Sequence, residues 1–203
     1  TKVEVVSNES GVDNDPSPGI SRDTAMDMQF WCSGTERLLC VNTSLARAYA
    51  FGSGQDLDQI LAIANSGKYG GAGYASANIG TASGQNDAAV EIAIHEMGHS
   101  LGNLADEYTY GGPTTYTGGE PGSANLSTFD SADQVALETK WHLWMGAGEA
   151  GFDGPTWTYE GGGYSVYGIY RPSNDSMMRS LNRPFNLPSA EKLIREFYRE
   201  VSP

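Results

Sequence analysis

The chain has 203 residues, enough for one domain to bury a sizeable core without a disulfide scaffold. Lys and Arg number 12 against 25 Asp and Glu, and the resulting net charge of −13 argues against nucleic acid and anionic membranes as partners. No apolar run approaches the roughly 20 residues that span a bilayer, and 39% hydrophobic residues with 26 glycines indicate a loop-rich globular protein.

In chain order, the alternating VEVVS (Val3 to Ser7) predicts a strand. The Gly-, Pro- and Asn-rich stretch after it predicts a surface loop, where Asp13 and Asp15 are a candidate Ca²⁺ site without EF-hand spacing. Residues 30–32 and 38–41 read as short paired strands. Cys32 and Cys40 lie too far apart for a C-x-x-C redox pair and are too few for a cysteine zinc site. A local disulfide around Gly34 is expected, and with it an oxidising, extracellular compartment.

SLARAYAF (Ser44 to Phe51) predicts a helix, and the apolar run ending Leu57 to Ala64 predicts a buried parallel strand. Lys68 to Ser83 is small, polar and glycine-rich, which suits an exposed edge strand better than an interior one. The strongest helix begins near Asn86 as N-cap, carries Val90, Ile94, Met97 and Leu101 on one apolar face, and stops at Gly102-Asn103. From Tyr108 to Trp157 the chain reads as irregular. A last helix, Ser189 to Val201, is expected to bury Leu193, Ile194, Phe197 and Tyr198. Without repeats or low-complexity linkers, residues 1–203 read as one domain with an upper half of about 1–103 and a lower half of about 104–203. Thr1 is not a natural start, so a trimmed or mature chain is expected.

The chemistry sits in HEMGH, residues 95–99. Histidines four apart share a helix face, so His95 and His99 can both reach one Zn²⁺. Glu96 is placed to act as general base on a water that the metal acidifies. With three histidines in the chain and two at this spacing, zinc is favoured over a surface helix bearing ordinary histidines. The third ligand is expected to follow a sharp turn at Gly102, three residues past His99, as in metzincins. The usual histidine position is Ala105 here, which cannot ligate. Asp106 is the first choice, with Glu107 and His142 as competitors. Glu91, one turn before His95, can orient its ring or simply be a solvated helix carboxylate.

SNDSMMRS (Ser173 to Ser180) resembles a Met-turn, with Met178 as the methionine beneath the histidines. Ser180 stands where some metzincins carry an oxyanion-stabilising tyrosine. Tyr164, Tyr167 and Tyr170, from GGGYSVYGIYRP, are alternatives for that role or for a pocket wall.

Together HEMGHSLGNLADEY, GISRDTAM, KWHLW and TYEGGGYSVYGIYRPSNDSMMRS resemble the IgA-peptidase family of secreted bacterial zinc metallopeptidases. The resemblance implies an α+β, metzincin-like zincin fold: a mixed twisted sheet with an edge strand over an active-site helix, then an irregular lower half. It also implies His95, His99 and Asp106 as ligands of one catalytic Zn²⁺, Glu96 as base, and protein or peptide substrates, a glycoprotein among them. A monomer is expected, and because the family usually begins with another strand and helix ahead of VEVVS, the resemblance implies a further N-terminal segment or domain. Substrate would lie antiparallel to an edge strand around Tyr74 to Ala82, with Tyr74, Ala75 and Ser76 lining the cleft. Relatives often carry cysteines where this chain has Ser176, Asn186 and Ser189. The competing function is a secreted zincin-like module that binds glycan or glycoprotein without cleaving it; the intact Glu96 favours the enzyme.

Overall fold

The computed structural model describes residues 2–54, 56–148 and 150–201. The architecture is α+β, with small sheets and four helices. The chain divides into two compact units, Thr1–Leu101 and Gly102–Pro203.

In the first unit residues 3–7 form no strand, and Val6 is 94% exposed. Alternation alone did not suffice, because no ladder partner reaches them among the described residues. The expected pair of strands at 30–32 and 38–41 reduces to isolated bridges, with Gln29 facing Asp13 on one side and Cys40 on the other. Cys32–Gly34 instead coil into a 3₁₀ turn. Cys32 and Cys40 are joined as a disulfide with Cα atoms 6.1 Å apart, which fits an extracellular protein.

Helix α1 (Thr43–Phe51) opens on Asn42, whose Oδ1 accepts the Leu45 N–H at 3.2 Å. Strands β1 (Ile60–Ala64), β2 (Gly71–Tyr74) and β3 (Ile79–Ser83) form one sheet in the order β1-β3-β2. β1 runs parallel to β3, as expected, whereas β2 is antiparallel to it. β1 is not buried on both faces: Ile63 is 58% exposed, because the strand stands at the end of this sheet.

The reading of Lys68 to Ser83 as one exposed edge strand is overturned. The segment is a hairpin whose second strand, β3, is central and buried throughout. Even the outer side of β2 is partly engaged, since the Gly71 N–H donates to the Arg37 carbonyl at 3.2 Å and the Gly71 carbonyl accepts from Leu39 at 3.3 Å. The reason for the glycines is packing. Helix α2 (Ala89–Ser100) lies directly on β2 and β3. A Cβ at Gly73 would come within 2.4 Å of the His99 Cβ, and one at Gly71 within 2.8 Å of Glu96 Oε1. The core of this unit gathers Val12, Met28, Phe30, Leu39, Val41, Ala46, Ala62, Ala64 and Ile79.

In the second unit, helix α3 (Ser131–Ala136) is capped by Asp130, whose Oδ1 accepts the N–H groups of Ala132 and Asp133 at 2.9 and 3.0 Å. Strands β4 (Tyr159–Gly162) and β5 (Ser165–Arg171) pair antiparallel around a turn in which Gly161 to Tyr164 all have positive φ. Leu126, Trp141, Ile169, Met177 and Met178 are buried here. Helix α4 (Leu187–Val201) forms where expected, but of its expected apolar stripe only Leu193 is buried. Ile194, Phe197 and Tyr198 are 53%, 51% and 67% exposed. Among the described residues no helix is long and apolar enough to cross a membrane.

Candidate metal centre

Successive turns of α2 present His95 and His99 side by side, with Nε2 atoms 3.2 Å apart and rings at 87° to each other. Two bonds of 2.0–2.1 Å meeting at a tetrahedral angle set their donors about 3.3 Å apart. The spacing of the histidine pair is therefore that of two ligands to one tetrahedral metal ion.

Of the apolar face of α2, Val90 is 69% exposed and Ile94, Met97 and Leu101 are half-buried, while Ile92, Glu96, Gly98 and Ser100 are buried. That burial is set by the glycine strand: α2 turns toward β2 and β3 the residues that a strand lacking Cβ atoms can receive. Glu96 is thus held in place, 6% exposed, one residue past His95. The Ser100 hydroxyl donates to the Glu96 carbonyl at 2.9 Å and accepts from Gln59 Nε2 at 2.9 Å. Glu96 also acts at a distance, adding to the burial that raises the Tyr69 and Tyr74 phenols. Glu91 is partly buried in the first turn of α2.

Beyond the helix the chain runs irregularly through Leu104 to Tyr108. His95, His99 and Asp106 each offer a ligand atom, and those atoms all lie within 4.8 Å of one another. Asp106 is held from two sides. Its carbonyl accepts the Gly163 N–H at 2.9 Å, and its Oδ2 accepts the Tyr164 hydroxyl in a short hydrogen bond. The Tyr164 phenol is raised well above its ordinary value, first by burial and then by the hydrogen bond to Asp106 and its charge. Its ring stacks on Tyr110 at 5.0 Å and meets Tyr108 at 5.4 Å.

Glu107 points to a different environment. It is wholly buried, Oε1 accepting from Asn125 at 2.9 Å and Asn186 at 2.8 Å, and Oε2 from Ser176 at 2.7 Å. Burial raises its carboxyl, against the pull of those three donors and of Arg171. Committed to that network, it competes poorly as a ligand. His142 sits in a separate short turn, with Nδ1 3.1 Å from the Thr139 carbonyl and outside the cluster.

Met178 is fully buried in a tight turn, and its carbonyl accepts the Glu107 N–H at 2.8 Å. Tyr74, last in β2, packs on the core of the first unit, and Ala75 and Ser76 lie exposed in the turn after it. Tyr167 and Tyr170 lie on β5, with Tyr167 48% exposed. Burial and then Glu160 raise the Tyr170 phenol. Asp13 and Asp15 join no metal-ligand group among the described residues. Asp13 caps Arg22, and Asp15 Oδ2 accepts the Ser66 hydroxyl at 2.6 Å.

The sequence reading missed Asn125, which clamps the loop by accepting the Ala105 N–H at 2.9 Å and donating to the Ala105 carbonyl at 2.8 Å. Nothing in its local pattern marks it. Ser176 and Asn186 hold Glu107, a role that their local sequence does not reveal.

The family model described as IgA Peptidase M64 matches residues 2–155. No curated protein matches the chain closely enough to count as a relative.

Proposed function

The chain belongs to the IgA peptidase M64 family, and from that premise we propose that it is a secreted, zinc-dependent endopeptidase acting on proteins. The family gives the peptidase function and the class of substrate. The observation that supports zinc is the pair of imidazole nitrogens 3.2 Å apart on α2, joined by the Asp106 carboxylate in one cluster of ligand atoms.

In this reading His95, His99 and Asp106 hold one metal ion and residues 1–203 form a single catalytic domain. Zinc supplies Lewis acidity and a water acidified to a pKa near 7. Glu96 accepts a proton from the attacking water as its oxygen adds to the scissile carbonyl carbon. The same carboxyl then delivers that proton to the departing amine as the C–N bond breaks. One water is consumed, and an acid and an amine result, with no covalent bond to the protein. Burying Glu96 against β2 fixes its backbone and rotamer, so this shuttle needs no rearrangement before reaction. Met178 is assigned as the Met-turn methionine. The exposed Ala75 and Ser76, with Tyr167, are assigned to substrate contact.

The test pairs zinc content with casein cleavage in wild type and Glu96→Gln. One equivalent of zinc is expected in both, with cleavage reduced by roughly 100- to 10,000-fold in the variant. Zinc in wild type without cleavage would favour a binding module, and no zinc would overturn the metal centre.

A further inference from the structure

A phenol has one proton to donate. In this structure the Tyr164 proton goes to Asp106, and the rest of the residue is built to keep it there. The Tyr164 N–H donates to the Tyr108 carbonyl at 3.0 Å, and the Tyr164 carbonyl accepts from Thr114 Oγ1 at 3.3 Å. Its ring is stacked on Tyr110 with the planes 9° apart. Its backbone has a φ of 67°, a left-handed conformation that a residue with a side chain keeps only where its surroundings impose it. The preceding Gly163 N–H grips the Asp106 carbonyl at 2.9 Å, so two consecutive residues of the β4–β5 turn hold Asp106 by both main chain and carboxylate.

We propose that Tyr164 is a positioning residue for the metal centre, its hydroxyl fixing the Asp106 carboxylate in the orientation in which it binds zinc. The inference rests on the assignment of Asp106 as a zinc ligand, and it gives the tyrosine a different role from stabilising an oxyanion on the substrate. A hydroxyl already donating to Asp106 would have to break that bond to serve the reacting carbonyl. Groups that orient a ligand typically change metal affinity or activity by about 10- to 100-fold when removed.

Zinc affinity, measured by competition with a chromogenic chelator, is the readout that separates the two roles. It is compared in wild type, Tyr164→Phe, Asp106→Ala and the double variant, alongside kcat and KM on a peptide substrate. Tyr164→Phe keeps the ring and its stacking and is expected to weaken zinc about 10- to 100-fold. In the Asp106→Ala background the same change is expected to cost nothing further, because the hydroxyl has lost what it positions. Should Tyr164→Phe fail to fold, Tyr110→Leu, which unstacks the ring but leaves the hydroxyl, is expected to weaken zinc by a smaller factor. Unchanged zinc affinity in Tyr164→Phe with kcat reduced would overturn the inference and place the hydroxyl on the substrate. An equal zinc loss with and without Asp106 would also overturn it. Wild type that binds no zinc would instead overturn the metal-centre reading on which it rests.

Discussion

Asp106 and Glu107 are neighbours of like chemistry with opposite fates. Asp106 is turned toward the two histidines and Tyr164, whereas Glu107 is a hub inside the second unit. Through Ser176 it holds the Met178 turn, whose main chain in turn accepts the Glu107 N–H. Through Asn186 it holds the start of α4, because Asn186 Oδ1 caps the helix by accepting the Ser189 N–H at 3.1 Å. A buried acceptor with three donors costs little while all are paired, but each donor stranded by its removal costs about 1–3 kcal/mol. Glu107→Ala is therefore expected to destabilise by at least about 3 kcal/mol. Glu107→Gln keeps the carbonyl for the two asparagines and turns its amide toward the Ser176 hydroxyl, which has lone pairs to accept it. That variant is expected to lose only about 1 kcal/mol. Urea unfolding of the two variants checks this, and equal losses would mean that Glu107 is not a hub of hydrogen bonds. The same network gives Ser176 and Asn186 their place: hydrogen bonds to one buried carboxylate tie this region down.

At the scale of elements, the pairing of α2 with β2 sets both Glu96, the proposed general base, and His99. Gly73→Ala must displace the His99 Cβ or the Glu96 carbonyl, 2.4 and 2.8 Å from the new atom, and neither is the free end of a flexible side chain. Overpacking of this kind typically costs about 1–3 kcal/mol, and here it also moves His99, a proposed metal ligand. Gly80→Ala, one strand over, would meet nothing closer than 3.5 Å and is expected to be nearly neutral. Thermal melting and zinc titration of both variants give the comparison; equal behaviour would remove the close approach as the reason for glycine. This pairing also explains what the sequence could not convey. The HEMGH motif, α1, α4, the disulfide and the parallel β1 were legible because each depends on local spacing or local propensity. The glycine strand β2 does end its sheet, but its expected exposure failed because the absence of a side chain reads locally as exposure, when here it marks a helix lying against the backbone. The buried residues of α2 were not legible for the same reason: Glu96 and Ser100 are polar, yet the glycine surface receives them, while Val90 is left outside. In α4, helical periodicity fixed the element but not how much of its apolar stripe would be covered. Between adjacent carboxylates in an irregular loop, spacing from His99 favoured Asp106 without revealing the partners that separate the two, Tyr164 on Asp106 and Asn125, Ser176 and Asn186 on Glu107.

For the whole molecule, the proposed metal centre links metal to stability. A ligand that binds only the folded chain adds RT ln(1 + [L]/Kd), about 2.7 kcal/mol at a hundredfold excess over Kd. For a chain of this size each kcal/mol moves the melting temperature by about 2–4 °C. Removing zinc with a chelator is therefore expected to lower the melting temperature by about 5–11 °C. Asp106→Ala should melt close to the metal-free wild type and respond little to added zinc, since its cluster has lost a ligand. Glu96→Gln should follow wild type, because Glu96 lies beside the ligands without being one of them. Calcium added in place of zinc should leave the metal-free melting temperature unmoved: two imidazoles and one carboxylate suit a borderline-soft ion, whereas calcium takes six to eight oxygens. A calorimetric scan of the three proteins with each metal reads all of this at once. A shift produced by calcium but not by zinc would assign the centre to the wrong ion, and with it the chemistry proposed for Glu96.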